Sequence, residues 1–115
     1  MTDTFRQIAA PQRAEIKIKG SRFIGEALPA SAEAAALESL QAIRKREFNA
    51  THHCWAYRIG QEAELFRYSD DGEPSGTAGQ PILRQIDARN VTNLIVVVTR
   101  YYGGTKLGTG GLIRA

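Results

Sequence analysis

Apolar and polar residues alternate from Glu15 to Lys19, with Ile16 and Ile18 on one side and Glu15, Lys17 and Lys19 on the other. That is the period of a half-exposed strand. Gly20-Ser21 reads as a turn, and Arg22 to Leu28 as the hairpin partner. After Pro29 the period changes. Ala36, Leu37, Leu40 and Ile43 recur at helical spacing, which predicts an amphipathic helix with this stripe against a sheet. Ser31 is its candidate N-cap, Glu33 suits the positive end of the helix dipole, and Arg44, Lys45 and Arg46 suit the negative end.

His53 to Ile59 and Glu64 to Ser69 predict a second strand pair around Gly60-Gln61. An acidic, glycine-punctuated loop follows from Asp70 to Gly76. The stretch from Thr77 to Arg89 predicts a helix with Ala78, Ile82, Leu83 and Ile86 on one side. Pro81 is tolerated only in a first turn, so regular helix starts at Gly79 or Gln80. Asn93 to Arg100 contains an unbroken Leu-Ile-Val-Val-Val run, the pattern of a strand buried on both faces. Gly108 to Ala115 reads as the start of another helix. Paired strands with interspersed helices predict an α+β fold, a two-layer sandwich with helices on one face of a mainly antiparallel sheet.

Composition narrows the function classes. The chain has 115 residues, 43% of them hydrophobic and 23% charged, enough for one domain with its own core. The longest purely apolar run, Leu94 to Val98, is too short to cross a bilayer, and Met1 to Arg13 lacks the apolar block of a signal peptide. A single cysteine, Cys54, excludes an intramolecular disulfide, so a reducing compartment, the cytoplasm, is the expected location. The net charge of +3 is mild and permits anionic partners without demanding them. Eleven of the fifteen cations are arginine, whose planar fork suits carboxylate or phosphate.

Two segments concentrate the candidate chemistry. The first runs from Arg67 to Leu83, with three carboxylates (Asp70, Asp71, Glu73) beside Gly72 and Pro74, followed by Ser75, Gly76, Thr77 and Gly79. Ser75 or Thr77 could cap the following helix, and Gly76 and Gly79 would let a partner approach the backbone closely. Free N–H groups at that helix start favour an anion, but the carboxylates could occupy them and close a self-capped turn. The second segment runs from Thr99 to Arg114. Glycine fills five of the nine positions from Gly103 to Gly111, a density that calls for positive φ or a close approach. Arg100, Thr105, Lys106, Thr109 and Arg114 add donors and positive charge, which could cradle phosphate or follow an RNA backbone. Tyr101 and Tyr102 could stack on bases or serve as core and rim. Thr109 stands where a Walker loop needs Lys, and Ile113 where a dinucleotide fingerprint needs glycine.

Other groupings are weaker. On a strand, His52 and Cys54 share one side and His53, Trp55 and Tyr57 the other. Two ligands do not make a zinc site. Cys54 as a nucleophile competes with the ordinary role of a small buried hydrophobe. The acidic trio could hold magnesium with a bound nucleotide.

Taken together, the Tyr68–Leu83 run with its Ser-Asp-Asp-Gly-Glu-Pro core and the Val97–Arg114 run with Arg-Tyr-Tyr-Gly-Gly and Leu-Gly-Thr-Gly-Gly-Leu resemble the Impact family, the bacterial YigZ-like proteins and their eukaryotic relatives. Ser21-Arg22-Phe23 and His52-His53-Cys54 also match, and the resemblance covers the family's N-terminal domain from about Lys19 onward. It implies a fold like the second domain of ribosomal protein S-five, shared by GHMP small-molecule kinases. It also implies a role in regulating translation initiation, with an RNA, ribosomal or translation-control protein partner. No catalytic residue, metal or cofactor carries over.

What carries over is the signature itself: Asp70, Asp71, Gly72, Glu73, Pro74, Gly76, Thr77, Gly79 and Pro81, then Arg100, Tyr101, Gly103, Gly104, Leu107, Gly108, Gly110, Gly111 and Arg114. The expected binding residues are these without Pro81 and Leu107, to which the charge reading adds Lys106. Bacterial members continue past the position of Ala115 through a helix into a smaller ferredoxin-like domain. The expectation is therefore one Impact-like N-terminal domain over residues 1–115, without that helix and second domain. The competing expectation is a nucleotide- or phosphate-binding enzyme of GHMP-like fold using magnesium.

Overall fold

The computed structural model describes residues 5–73 and 75–102. Strands β1 (Gln12–Ile18) and β2 (Ser21–Pro29) form the first hairpin. Its turn is Lys19-Gly20, one residue earlier than the sequence suggests. Both residues have positive φ, 49° and 87°, as a two-residue turn matched to strand twist requires. Helix α1 spans Glu33–Arg46, with Glu33 in its first turn and Arg44, Lys45 and Arg46 in its last. Ser31 is not its cap. Extended Ala32 holds that position without a side-chain hydrogen bond, and the Ala32 carbonyl accepts the Ala36 N–H at 3.1 Å.

Strands β3 (His52–Ile59) and β4 (Leu65–Ser69) make the second hairpin. Helix α2 (Gly79–Ala88) then leads to β5 (Leu94–Tyr101), and Pro81 falls in its first turn, where a missing N–H costs nothing. The strand order is β1-β2-β5-β3-β4, and every neighbouring pair is antiparallel. The last strand among the described residues is thus the middle one. It joins the two hairpins, with Ile24 opposite Thr99 on one side and Cys54 opposite Val98 on the other.

The α+β class and the antiparallel sheet are as the pattern predicts, but the helices lie on opposite faces of the sheet. Ala36, Leu40 and Ile43 of α1 pack on Trp55, Tyr57, Ile95 and Val97. Leu83 and Ile86 of α2 pack on Ala56 and Leu94, with Val96 and Ala27 at the margin. Strand parity forces this division. Both faces of β3 and β5 are apolar, so one layer of helices would leave half of the Leu-Ile-Val-Val-Val run in water. Beyond α2 the second face opens into an apolar trough, with Ile16 55% and Ile18 40% exposed. No helix among the described residues is long and apolar enough to cross a membrane.

Candidate functional site

β4 ends at Ser69, and the chain then turns back over the start of β3. Asp71 (φ 46°) and Gly72 (φ 90°) occupy the two corner positions, and the Glu73 N–H closes the turn on the Asp70 carbonyl at 3.0 Å. Aspartate-glycine suits two successive left-handed residues because Asp tolerates that region and Gly has no side chain to clash. A Cβ on Gly72 would stand 3.3 Å from the His52 ring.

Each carboxylate of the acidic trio has an intramolecular partner. Asp70 Oδ1 accepts the N–H groups of Ala78 (3.0 Å) and Gly79 (2.7 Å), and Oδ2 accepts that of Gly76 (2.9 Å). These bonds, Gly76 foremost, hold its carboxyl below the ordinary aspartate range. Asp70, rather than Ser75 or Thr77, therefore satisfies the first N–H groups of α2 and occupies the position an external anion would take. Asp71 Oδ2 accepts the backbone N–H of His53 at 2.7 Å, while the Asp71 carbonyl accepts from His52 Nδ1 at 2.7 Å. Glu73 pairs with Arg100 of β5, and their side chains are only 9% and 14% exposed.

Cys54 lies beneath the loop, where its thiol donates to the Asp70 carbonyl at 3.2 Å and to Glu73 at 3.4 Å. Burial, reinforced by the Glu73 charge, pushes the thiol up to about 12. A thiol held that firmly in its protonated form is a poor nucleophile at neutral pH. Among the described residues no group of three or more His, Cys, Asp or Glu is arranged to hold a metal ion. The magnesium expectation meets a further obstacle, since all three acidic side chains are already bonded within the chain.

The two signature segments do converge where they are described. Arg100 stands directly opposite His52 on β3 and Phe23 on β2. Its guanidinium lies 5.1 Å from the Phe23 ring centroid and 4.4 Å from that of Tyr102, and Tyr102 meets His52 edge-on at 5.9 Å. Phe23, His52 and Tyr102 thus frame the Glu73–Arg100 pair. Strand alternation alone does not find this frame, because it depends on which strands flank β5.

Tyr101 is not part of the convergence. It points to the α1 face, where its hydroxyl donates to Glu47 at 2.6 Å. Gly79 is buried, and a Cβ there would come within 2.7 Å of the Ser69 backbone, so the close approach expected at this glycine is made by the chain itself. Gly76 has positive φ (79°), and Thr77 is exposed in the same loop. Pro74, Gly103, Gly104, Lys106, Gly108, Gly110, Gly111 and Arg114 lie outside the described residues, as does the helix expected over 108–115.

Comparison with known proteins agrees with this architecture. A solved structure titled "Crystal structure of an hypothetical protein" superposes with a TM-score of 0.83 at 38% identity, covering 100% of this chain and 57% of that one. The IMPACT family member YvyE of Bacillus subtilis is 52% identical over 101 residues, 88% of this chain and 46% of the relative. The IMPACT family member YigZ of Escherichia coli is 42% identical over 109 residues, 93% and 53% respectively. The human protein named Protein IMPACT is 42% identical over 67 residues, 56% of this chain and 20% of its own length. The chain thus spans about half the length of the bacterial relatives it matches. The Impact N-terminal domain matches residues 19–115, and the chain belongs to the Impact family.

Proposed function

We propose that the chain is a non-catalytic binding module of translation control, meeting an RNA, ribosomal or protein partner through its signature segments. The observation that carries this reading is the internal bonding of the acidic loop. Asp70, Asp71 and Glu73 are occupied by backbone N–H groups and Arg100, which leaves them as a brace rather than as an acid, a base or a cation site. That brace fixes the end of β5, the point where the chain enters the glycine-dense segment with Lys106 and Arg114. The family's association with translation initiation supplies the biological setting.

The test is ribosome co-sedimentation and RNA binding over a series of salt concentrations, comparing wild type with Lys106→Ala/Arg114→Ala. Arg100 stays intact, because removing it would disrupt the Glu73 pair and confuse binding with folding. Partner contact through phosphate weakens with salt and with the double substitution. Retention of ribosome and RNA binding by the double variant refutes the role of the second segment. A rise in unfolding midpoint with a nucleotide and magnesium would instead support the enzyme reading.

A further inference from the structure

The face of the sheet beneath α1 carries a second charged surface, away from the acidic loop. Arg13, Glu15 and Lys17 of β1 share that face with Arg22 and Glu26 of β2, as their register requires. Arg22 donates to Glu15 at 2.6 Å and lies 5.4 Å from the Tyr101 ring centroid. Tyr101 bonds to Glu47, Glu47 accepts Arg46 Nε at 3.0 Å, and Arg46 also pairs with Glu26. These links join the first hairpin, the end of β5 and the last turn of α1 into one continuous surface.

The bonding on this surface is unbalanced. Its three carboxylates, Glu15, Glu26 and Glu47, are all paired. Lys17, Arg44 and Lys45 have no ion-pair partner among the described residues. Six cations against three carboxylates give a surplus equal to the +3 of the entire chain. Past Arg46 and the intervening Glu47 comes Phe48, 75% exposed and the most exposed large hydrophobic side chain among the described residues. Complementing the α1 dipole accounts for Arg44 and Lys45. It does not account for Lys17, nor for an aromatic ring left in water two residues beyond the end of the helix. Cations flanking an accessible ring form the stacking-and-phosphate platform that single-stranded nucleic acids use.

We propose that this surface binds single-stranded RNA, with Phe48 stacking on one base while Lys17, Arg44 and Lys45 hold neighbouring phosphates. The choice of RNA rests on the translation-control reading, but the surface is separate from the signature segments. An unpaired strand fits because its bases are free to meet the ring, as they are not within a duplex.

Fluorescence anisotropy with a labelled oligouridylate of about 12 nucleotides, titrated with the full chain at several salt concentrations, tests this. Three phosphate contacts on a single strand give a slope of log affinity against log salt of about −2. Arg44→Ala/Lys45→Ala should weaken binding at least about tenfold and make the slope shallower by about 1.4. Phe48→Ala should weaken binding about fivefold or more with the slope unchanged, and Phe48→Trp should retain it. Because Phe48 is exposed, its variants keep the wild-type unfolding midpoint, which separates binding from folding.

Wild-type binding by both the Arg44/Lys45 and Phe48→Ala variants overturns the proposal. If Lys106→Ala/Arg114→Ala then abolishes binding, the signature-segment reading survives alone. Loss with the α1-side variants and retention with Lys106→Ala/Arg114→Ala upholds the α1-side surface and removes RNA from the signature segments. Equal competition by an oligoglutamate peptide, with Phe48→Ala silent, also overturns the proposal and assigns the surface to an acidic protein.

Discussion

Asp70 stands nine residues before Gly79, and its Oδ1 accepts the Gly79 N–H at 2.7 Å at the start of α2. One carboxylate thereby joins the end of β4 to a helix on the far side of an acidic loop. Asp70→Ala is expected to lower the unfolding midpoint by several degrees, while Asp70→Asn, which keeps an acceptor oxygen, is expected to cost less. The pH dependence has a definite sign. Because the folded carboxyl is held below its ordinary value, its contribution is complete above the ordinary aspartate range and is lost as pH falls through the lowered folded value. Acid titration of the unfolding midpoint should show Asp70→Asn with a flatter profile than wild type in that region.

Gly79→Ala addresses the other side of the same contact. Its Cβ would come within 2.7 Å of the Ser69 carbonyl, a backbone group unable to swing away. The expected cost is about 2–3 kcal/mol, read by urea denaturation, even though alanine is the better helix former. A neutral or stabilising result would mean that the β4–α2 junction relaxes freely.

Glu73→Ala leaves the Arg100 guanidinium largely buried without its counter-charge, and is expected to destabilise by about 3 kcal/mol. Adding Arg100→Met, which fits the Phe23 and Tyr102 frame as an apolar side chain, should recover much of that loss. A double-mutant cycle measures the coupling, and simple additivity would show that the pair contributes nothing to stability.

Burial lowers the folded pKa of His53 beneath its ordinary 6.5, with the Asp71 charge opposing and Arg44 adding to the effect. The unfolded chain therefore takes up the proton first, and the contribution of this group to stability declines as pH falls below about 6.5. Unfolding free energies at about pH 7.5 and about pH 5.5 should differ less for His53→Gln than for wild type.

Cys54, pushed up to about 12, should remain unmodified by iodoacetamide at about pH 8 in the folded protein and react once urea unfolds it. Mass spectrometry of the two states distinguishes them. Rapid labelling without denaturant would mean that the acidic loop lifts away from β3.

Periodicity carries the elements well, because each strand and helix has apolar residues at its own repeat. Leu94 to Val98 even announces burial on both faces, which a single helical layer cannot provide. The two-sided arrangement is thus implicit in a pattern that, read element by element, suggests helices on one face. Ser31 misleads because cap preference is local, whereas the α1 start answers to Ala36 and Leu40 meeting the sheet. The acidic loop is legible as a self-capped turn, but not which carboxylate caps. Asp70 reaches Gly79 only because Asp71 and Gly72 reverse the chain. The framing of Arg100 by Phe23, His52 and Tyr102 is not legible, since residues separated by dozens of positions become neighbours only through the placement of β5.

That placement also sets an order of events during synthesis. Each hairpin can form locally as it emerges, but each retains an open inner edge until the strand beginning at Leu94 arrives. Such long-range closure is the slow kind, and unpaired edges are sticky while they wait. A nascent chain arrested just before Leu94 would expose two unjoined edges to its surroundings, so the arrival of β5 is the step that seals both hairpins against pairing with a stranger.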